Sequence, residues 1–295
     1  MTVTAHSPSA GDGPLAIDAL RRRRATARLG GTIHYFDSVD STNSVAQRLA
    51  TEGAAEGTTV IAETQTKGRG RLGRTWVSPP FRNLYLSIVL RPPIAVARAP
   101  QIGLVAGVAV AEAVGDWVSR ATIKWPNDVL IDGRKVAGIL TEMTADGDRL
   151  RCVIVGIGVN LNSPVEDFPP DLHDKAVSLC TASGARIDRV VFADRLLAQL
   201  EERYDRFLNH GFAAIQPLWE GLSALTGRVV QIDDGVRRYQ GVVVGLAEDG
   251  TLRLRDAAQD DVRVVAGDVT VVDGYGDSGA RPTTGAGRVA KERDR

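Results

Sequence analysis

A short glycine- and arginine-rich segment is the part of the chain whose residues point most directly to chemistry. Residues 68–74 read GRGRLGR, in which Arg69, Arg71 and Arg74 are interspersed with glycines, and Trp76 follows shortly after. Guanidinium groups bind carboxylates and phosphates through paired N–H donors, and glycines let a backbone fold closely over a small ligand. The segment therefore predicts a loop that closes over an anion, while a solvated basic turn is the alternative interpretation.

The same segment resembles several nucleotide-binding patterns, but its context does not fit them. A dinucleotide-binding G-x-G-x-x-G needs a helix directly after it and an acidic residue about twenty positions on. Here TWVSPP follows, and residues 86–97 contain no carboxylate. A kinase glycine loop needs H-R-D and D-F-G motifs, and a P-loop needs Gly-Lys-Ser/Thr, none of which occurs in the sequence.

A second cluster, KWPND, covers residues 124–128. A predicted strand ends at Lys124, and Pro126 prevents the chain from continuing as a helix. Lys124 and Asp128 are therefore expected at the same strand edge, where the lysine could contact phosphate and the aspartate Mg²⁺. A plain Asx turn explains Asn127 and Asp128 equally well, so both interpretations stay open.

Two later segments combine polar residues with glycines inside predicted strands. RKVAGIL at 134–140 contains Lys135 and Gly138, and GIGVN at 156–160 ends in Asn160. A glycine in a strand interior often marks the close approach of a ligand. The alternative for Lys135 is a solvated lysine at the start of a hairpin.

Three polar residues, Ser41, Thr42 and Asn43, stand at the start of a predicted helix. Such side chains commonly cap a helix N-terminus, and this is the simpler interpretation. They can also donate and accept hydrogen bonds to a neutral polar ligand.

Composition excludes several classes of protein. The 295 residues carry 36 basic and 36 acidic side chains, so no net field attracts the chain to nucleic acid or an anionic membrane. Cys152 and Cys180 are too few for a disulfide framework or a four-cysteine metal site, and the four histidines lack ligand spacing. Any anion site must therefore be local, and a reducing cytoplasm is the expected compartment.

Neither an export signal nor a membrane span is predicted. Residues 1–25 lack the apolar core of a signal peptide. The longest apolar stretch, residues 102–118, contains Glu112 and Asp116 and is short for a bilayer span. We therefore predict a buried helix there and a cytoplasmic protein.

The elements that position these residues follow from the apolar periodicity, which is helical in some segments and alternating in others. Predicted strands lie at 33–39, 58–65, 84–90, 121–124, 129–131, 135–144 and 150–160, and predicted helices lie at 41–52, 100–118, 189–210 and 211–223. The last two strands flank an Asp-Gly-Asp turn, which is typical of a hairpin.

Beyond residue 224 the pattern changes to short alternating strands separated by Asp-Gly turns, which predicts a small β-barrel. The predicted domain organisation is a flexible N-terminal segment with a short helix (1–30), a catalytic domain (31–224), the barrel (225–273) and a disordered tail (274–295).

Taken in order, STN, ETQ…GRGRLGR.W, KWPND, RKVAGIL and GIGVN resemble the catalytic domain of the biotin protein ligases, or biotin–acetyl-CoA-carboxylase ligases. The resemblance is strong over about residues 38–160 and weaker to about residue 273. It implies an α+β fold, in which a mixed sheet with helices forms the catalytic domain and an SH3-like β-barrel follows.

The resemblance also implies an ATP-dependent reaction in two steps. The carboxylate of biotin attacks the α-phosphate of Mg·ATP and gives biotinyl-5′-AMP and pyrophosphate. A specific lysine of a biotin carboxyl carrier protein, a component of acetyl-CoA or acyl-CoA carboxylase, then takes the biotinyl group. The implied small molecules are therefore biotin as substrate, ATP and Mg²⁺.

Roles for individual residues follow from the same resemblance. Lys135, Arg69 and Arg71 are the implied catalytic residues, and Asp128 is the implied metal ligand. The implied biotin-binding residues are Ser41, Thr42, Asn43, Gln65, Gly68, Arg69, Arg71, Lys135 and Gly138. The implied ATP- and adenylate-binding residues are Arg71, Arg74, Trp76, Lys124, Asn127 and Asn160, with Trp76 stacked on adenine. Leu72 departs from the family pattern, which often has a polar or basic residue there.

Three alternatives are weighed against this interpretation. Bifunctional members of the family carry a winged helix-turn-helix ahead of the STN motif, whereas only 40 residues precede Ser41 here, so a monofunctional ligase without DNA binding is expected. A lipoate ligase or acyltransferase of the same superfamily would favour a tunnel that accepts a thioether over STN and Gln65. A nucleic-acid-binding regulator is disfavoured by the balanced charge.

Overall fold

A computed structural model describes residues 13–25 and 27–272. The short helix predicted in the N-terminal segment is present as α1, Ile17–Arg23. The outer parts of the predicted flexible ends, residues 1–12 and 274–295, lie outside the described residues. The division of the chain into domains stays a prediction.

The centre of the fold is a seven-stranded mixed sheet. Its strands are β1 (Ile33–Val39), β2 (Thr59–Gln65), β3 (Leu84–Leu90), β4 (Ala121–Lys124), β5 (Asp128–Ile131), β6 (Arg134–Asp146) and β7 (Arg149–Val159). They run in the order β1-β2-β3-β7-β6-β5-β4. Only the β1–β2 pair of this sheet is parallel in the described residues, and the long β6–β7 hairpin is the one that the Asp-Gly turn predicts. The mixed sheet is therefore confirmed.

The helices after α1 are α2 (Thr42–Thr51), α3 (Gln101–Gly115), α4 (Leu179–Ser183), α5 (Arg189–His210) and α6 (Gln216–Gly221). Nearly every residue of α3 is buried, as its continuous apolar sequence predicts. Residues Val96–Gly115 are long and apolar enough to cross a membrane, but 72% of the apolar window is buried inside the protein. The prediction of a buried core helix is therefore confirmed.

The four arginines of residues 21–24 do not all face solvent: Arg21, Arg22 and Arg23 are exposed, and Arg24 is not. Arg24 is buried, forms an ion pair with Glu201 at 2.6 Å and donates hydrogen bonds to the carbonyl of Leu29. Its partner lies on α5, far away in sequence, so local patterning could not reveal the contact. Arg24 therefore links the end of α1 to α5.

The C-terminal region forms a five-stranded antiparallel sheet of β8 (Val229–Asp233), β9 (Arg238–Leu246), β10 (Leu252–Arg255), β11 (Asp261–Val264) and β12 (Asp268–Val271). The strand order is β11-β10-β9-β8-β12. Among the described residues β11 and β12 do not pair with each other, so the predicted barrel is an SH3-like sheet whose ladder is not closed. Its inward side chains belong to the same apolar core as α3.

A buried ion pair joins strand β2 of the sheet to the start of helix α5. Glu63 on β2 and Arg189 at the start of α5 lie 2.7 Å apart, and the Glu63 side chain is only 1% exposed. The carboxylate also accepts hydrogen bonds from the backbone of Leu15 (2.6 Å) and Phe81 (3.1 Å) and from the hydroxyl of Tyr35 (2.7 Å). Burial acts to raise the pKa of Glu63, but Arg189 and the other donors lower it overall.

This pair makes stability depend on pH. A carboxylate with a depressed folded-state pKa stabilises the fold above its unfolded pKa of about 4.3, and this contribution is lost as the pH falls through the folded pKa. We expect Glu63→Gln to lower the free energy of unfolding at pH 7 by about 3–5 kcal/mol, because Arg189 stays buried without its counter-charge. The difference in the free energy of unfolding between wild type and Glu63→Gln should shrink as the pH falls below about 4.3. Urea unfolding measures this difference.

The control is Glu202→Gln, since Glu202 pairs with Arg203 but its side chain is 63% exposed. Exposed pairs contribute about 0–1 kcal/mol, so this variant should resemble wild type at every pH. A gap between wild type and Glu63→Gln that widens with acidification would contradict the assignment.

Candidate active site

One cavity collects most of the side chains that the sequence analysis singled out. It lies where the N-terminus of α2, the end of β2, strands β6 and β7 and residues 68–76, here called the lid loop, meet. The predicted site residues that line it are Ser41, Thr42, Asn43, Gln65, Arg69, Trp76, Asn127, Lys135 and Gly138. Residues that lie far apart in the sequence therefore share one cavity.

The STN residues form the polar end of this cavity. Helix α2 begins at Thr42, but the side chain of Ser41 makes no capping hydrogen bond. The backbone N–H of Thr42 donates to Oε1 of Gln65 at 2.9 Å, and the hydroxyl of Ser87 donates to Oδ1 of Asn43 at 2.6 Å. The capping interpretation is therefore not supported at Ser41, which lines the cavity and whose hydroxyl makes no hydrogen bond to any described residue.

Glu142 on β6 joins the polar end to the lid loop. Nδ2 of Asn43 donates to Oε2 of Glu142 at 2.7 Å, and Nη2 of Arg69 lies 3.0 Å from both carboxylate oxygens. The Arg69 and Glu142 side chains are 45% and 39% exposed, so this ion pair lies at the cavity rim. Arg69 is thus held beside the STN residues.

The lid loop is a tight backbone turn. The N–H of Trp76 donates to the carbonyl of Gly68 at 2.9 Å, and the N–H of Gly70 donates to the carbonyl of Arg74 at 2.6 Å. A Cβ atom at Gly68 would lie 2.4 Å from the Trp76 carbonyl oxygen, so only glycine fits there. Leu72 has φ 56° and is 70% exposed, which places an apolar side chain in the left-handed region on the loop surface.

Glycines in β6 and β7 make room for side chains of the protein itself. A Cβ atom at Gly158 would lie 2.6 Å from the Trp76 ring, and one at Gly138 would lie 2.9 Å from it. A Cβ atom at Gly156 would lie 2.1 Å from Oδ1 of Asn43. We expected a ligand to approach these strand glycines. In the structure the side chains of Trp76 and Asn43 lie against them.

Two lysines flank one carboxylate at the other end of the site. Nζ of Lys135 lies 2.6 Å from Oδ1 of Asp128 and 5.3 Å from the Trp76 ring centroid. Lys124 is directly opposite Asp128 in the β4–β5 register. Burial lowers the pKa of Lys124, while the charges of Asp128 and Asp268 act to raise it. Since two cations share Asp128, this region favours an anionic ligand.

Arginines of the lid loop reach the same region. Nη1 of Arg71 donates to Oδ1 of Asn127 at 3.2 Å, and Arg74 forms an ion pair with Asp268 on β12. Burial lowers the pKa of Arg71, and the charges of Asp268 and Asp128 act to raise it. The lid loop is therefore tied to KWPND through Arg71 and to the C-terminal sheet through Arg74.

Comparison with known sequences agrees with these motifs. The sequence model of the Biotin/lipoate A/B protein ligase family matches residues 35–160. The chain is 40% identical over 243 residues to the bifunctional ligase/repressor BirA of Bacillus subtilis, which covers 82% of this chain and 75% of that protein. It is 38% identical over 224 residues to the biotin–[acetyl-CoA-carboxylase] ligase of Paracoccus denitrificans. This match covers 74% of the present chain and 92% of the Paracoccus protein. The chain belongs to the biotin protein ligase family.

Solved structures agree on the fold of this biotin protein ligase. The biotin protein ligase of Aquifex aeolicus in complex with biotin and ATP superposes with a TM-score of 0.69 at 30% identity. The superposition covers 81% of this chain and 97% of the Aquifex chain. The α+β fold implied by the five motifs is therefore confirmed.

In this biotin protein ligase the remaining predicted site residues lie around the cavity and not in its wall. Gly68, Arg71 and Arg74 belong to the lid loop, and Lys124 and Asp128 lie on neighbouring strands. Asn160 is buried behind Lys135, where its Nδ2 is 3.5 Å from the Lys135 carbonyl and 3.4 Å from that of Val177. These bonds fix the backbone that carries Lys135. The adenylate contact implied for Asn160 stays a prediction.

Sequence reasoning missed two acidic residues at the site. Glu142 shares a strand face with Gly138 and Leu140, so the alternation of β6 would have pointed to it. Asp268 lies on β12, 194 residues away from Arg74. Nothing in its local sequence signals that contact.

Proposed function

We propose that this chain is an ATP-dependent biotin protein ligase that activates biotin as biotinyl-5′-AMP and transfers it to a specific lysine of a biotin carboxyl carrier protein. One observation carries the proposal. Neutral polar groups at Ser41 and Gln65 and cationic groups at Arg69 and Lys135 line a single cavity. Such a cavity suits a molecule with a neutral polar ring at one end and a carboxylate at the other.

The polar end suits the ureido ring of biotin. We assign hydrogen bonds with this ring to Ser41, Thr42, Asn43 and Gln65, and a backbone contact to Gly68. Ser41 supports the assignment because its hydroxyl makes no hydrogen bond within the described part of the chain. Gly138, whose bare backbone lies in the cavity wall, would let the main chain approach the ligand closely.

The cationic end suits the first chemical step. A carboxylate oxygen of biotin forms a bond to the α-phosphorus of ATP, and pyrophosphate leaves. Both reactants are anions, so fixed positive charges around them stabilise the transition state. We assign Lys135 to the biotin carboxylate and α-phosphate together, and Arg69 and Arg71 to closing the lid loop over them.

The nucleotide would occupy the region next to Lys124. We assign phosphate contacts to Lys124 and Arg74, with Asn127 and Asn160 on the adenylate side and Trp76 against adenine. Asp128 is the residue proposed for Mg²⁺, since Mg²⁺ bound with a nucleotide usually takes only one or two protein carboxylates. The ion would neutralise phosphate charge.

In the second step the amine of a carrier lysine attacks the acyl carbon of the adenylate, and AMP leaves. The name of the Paracoccus relative, a ligase of acetyl-CoA carboxylase, supports a carboxylase carrier domain as the acceptor. The absence of DNA binding and the cytoplasmic location stay predictions.

The test is incubation of the purified protein with labelled biotin, Mg·ATP and a biotin carboxyl carrier domain. We expect label on one carrier lysine, located by mass spectrometry, and none when that lysine is replaced by arginine. A parallel reaction contains lipoate in place of biotin. Adenylate formed only from lipoate would favour the lipoate ligase alternative and overturn the proposal.

A glycine substitution tests the polar end. In Gly156→Ala the new methyl group would lie 2.1 Å from Oδ1 of Asn43, so Asn43 must leave its position. Loss of one well-placed hydrogen bond to a buried polar ligand costs about 1–3 kcal/mol, so we expect the Kd for biotin to rise by about 5- to 150-fold. Isothermal titration calorimetry measures this Kd.

Gly115→Ala is the matched control, because a Cβ atom there meets no atom within 4 Å. It should bind biotin as wild type does. Unchanged biotin affinity in a folded Gly156→Ala protein would remove Asn43 from the proposed ureido site.

A further inference from the structure

Glu142 contacts both Asn43, at the polar end of the cavity, and Arg69, in the lid loop. Its carboxylate accepts from Nδ2 of Asn43 at 2.7 Å and pairs with Nη2 of Arg69, which lies 73 residues away in sequence. Asn43 is 3% exposed and is fixed from the other side by Ser87. Of these three side chains, that of Arg69 is the most exposed, at 45%.

The contact leaves most of the Arg69 guanidinium available. Only Nη2 hydrogen bonds to Glu142, and Nε and Nη1 make no hydrogen bond to other residues in the described part of the chain. Arg69 lines the cavity in this arrangement. A carboxylate in the cavity can thus be bound through the remaining donors while Glu142 keeps its bond, because a guanidinium carries five N–H groups in a fixed plane.

The charge of Glu142 is partly exposed and lies beside a cavity that is proposed to bind an acid. A carboxylate next to an anion site repels the ligand unless it is neutralised. Here Arg69 neutralises it at 3.0 Å, so the pair adds little net charge while fixing where the arginine lies. The Glu142–Arg69 pair therefore fixes the position of the arginine and contributes little net charge.

We propose that Glu142 is a positioning residue, which holds the lid arginine Arg69 at the cavity rim and links it to Asn43, so that the ring site and the lid loop are aligned before the ligand binds. This inference rests on the proposed function for its kinetic consequences. The holding of Arg69 itself does not depend on which ligand binds.

The first experiment therefore uses no ligand. Trypsin cleaves after Arg69, Arg71 and Arg74, and cleavage of a folded protein follows the population of the open segment when opening is fast. In Glu142→Gln the amide oxygen can still accept from Asn43, but the charge that holds Arg69 is lost. Exposed ion pairs contribute only about 0–1 kcal/mol of stability. We therefore expect the rate of cleavage within the lid loop to rise by roughly two- to fivefold, measured by mass spectrometry.

Asp146→Asn is the matched control, because Asp146 also lies on β6 and pairs with an arginine, Arg151, but is remote from the lid loop. It should leave cleavage within the loop unchanged. Equal cleavage of wild type and Glu142→Gln would overturn the proposal whether or not the protein acts on biotin.

The second experiment measures adenylate formation from biotin and Mg·ATP. We expect Glu142→Gln to raise the KM for biotin by roughly two- to fivefold and to leave the KM for ATP unchanged. In an Arg69→Ala background Glu142→Gln should not raise the KM for biotin any further, since Glu142 acts through Arg69. A lower KM for biotin in the single variant Glu142→Gln, or a further rise of the KM in the double variant, would overturn the proposal. A wild-type protein that makes no biotinyl-adenylate would refute the proposed function alone.

Discussion

Replacing Lys135 with alanine should lower the rate of biotinyl-adenylate formation by roughly 10²- to 10³-fold, the cost commonly found when one preorganised charge-stabilising donor is removed. Lys135 lines the cavity and lies 2.6 Å from Asp128, beside Lys124. Its removal leaves Asp128 facing two anionic reactants with less compensating charge. The loss should appear in kcat for pyrophosphate release.

The fold should survive this substitution. The side chain of Lys135 is 32% exposed, and its backbone N–H donates to the Lys175 carbonyl at 2.7 Å whatever the side chain. A matched control is Lys67→Ala, which removes an exposed lysine that does not line the cavity. Wild-type turnover in a folded Lys135→Ala protein would exclude Lys135 from the chemistry.

Arg69→Ala and Arg71→Ala should each raise the rate at which the adenylate escapes into solution. Both arginines fasten the lid loop, Arg69 to Glu142 and Arg71 to Asn127, and a closed loop excludes water from a reactive intermediate. Each substitution also removes the hydrogen bonds that the guanidinium would donate to the bound adenylate, and a hydrogen bond from a charged group contributes about 1.5–3 kcal/mol. We therefore expect a release rate higher by roughly tenfold or more.

Release is measured by chasing labelled biotinyl-adenylate from the protein in the absence of carrier. The control is Arg237→Ala, which removes an exposed arginine from a turn of the C-terminal sheet. If the arginine variants of the lid loop release the adenylate no faster than this control, the loop does not act as a lid.

Elements with a clear period were predictable from the sequence. Strand β1, strand β3 and helix α5 have the bounds that their apolar residues predict. Helix α5 buries one face only, whereas β3 is buried along its whole length, as its continuous apolar run indicates. The clustering of Arg69, Lys135 and the STN residues was also expected, since the five motifs together resemble one family.

Contacts between distant residues were not predictable. The burial of Arg24 depends on Glu201, and the position of Arg69 depends on Glu142. The strand glycines were correctly identified as places of close approach, but the approaching groups, Trp76 and Asn43, are set by packing across the sheet. Periodicity describes which face of an element is buried and carries no information about its partner.

The core that α3 shares with the C-terminal sheet has a consequence for how the chain can be divided. Leu104 on α3 packs against the turn at Gly250, and Ile232, Leu252 and Leu254 join the same apolar cluster. A fragment ending at residue 224 would expose this apolar surface of α3 to water. It would also lack Asp268, the ion-pair partner of Arg74 in the lid loop. Trimming the chain there would favour aggregation of the remaining fragment and would not yield a minimal enzyme.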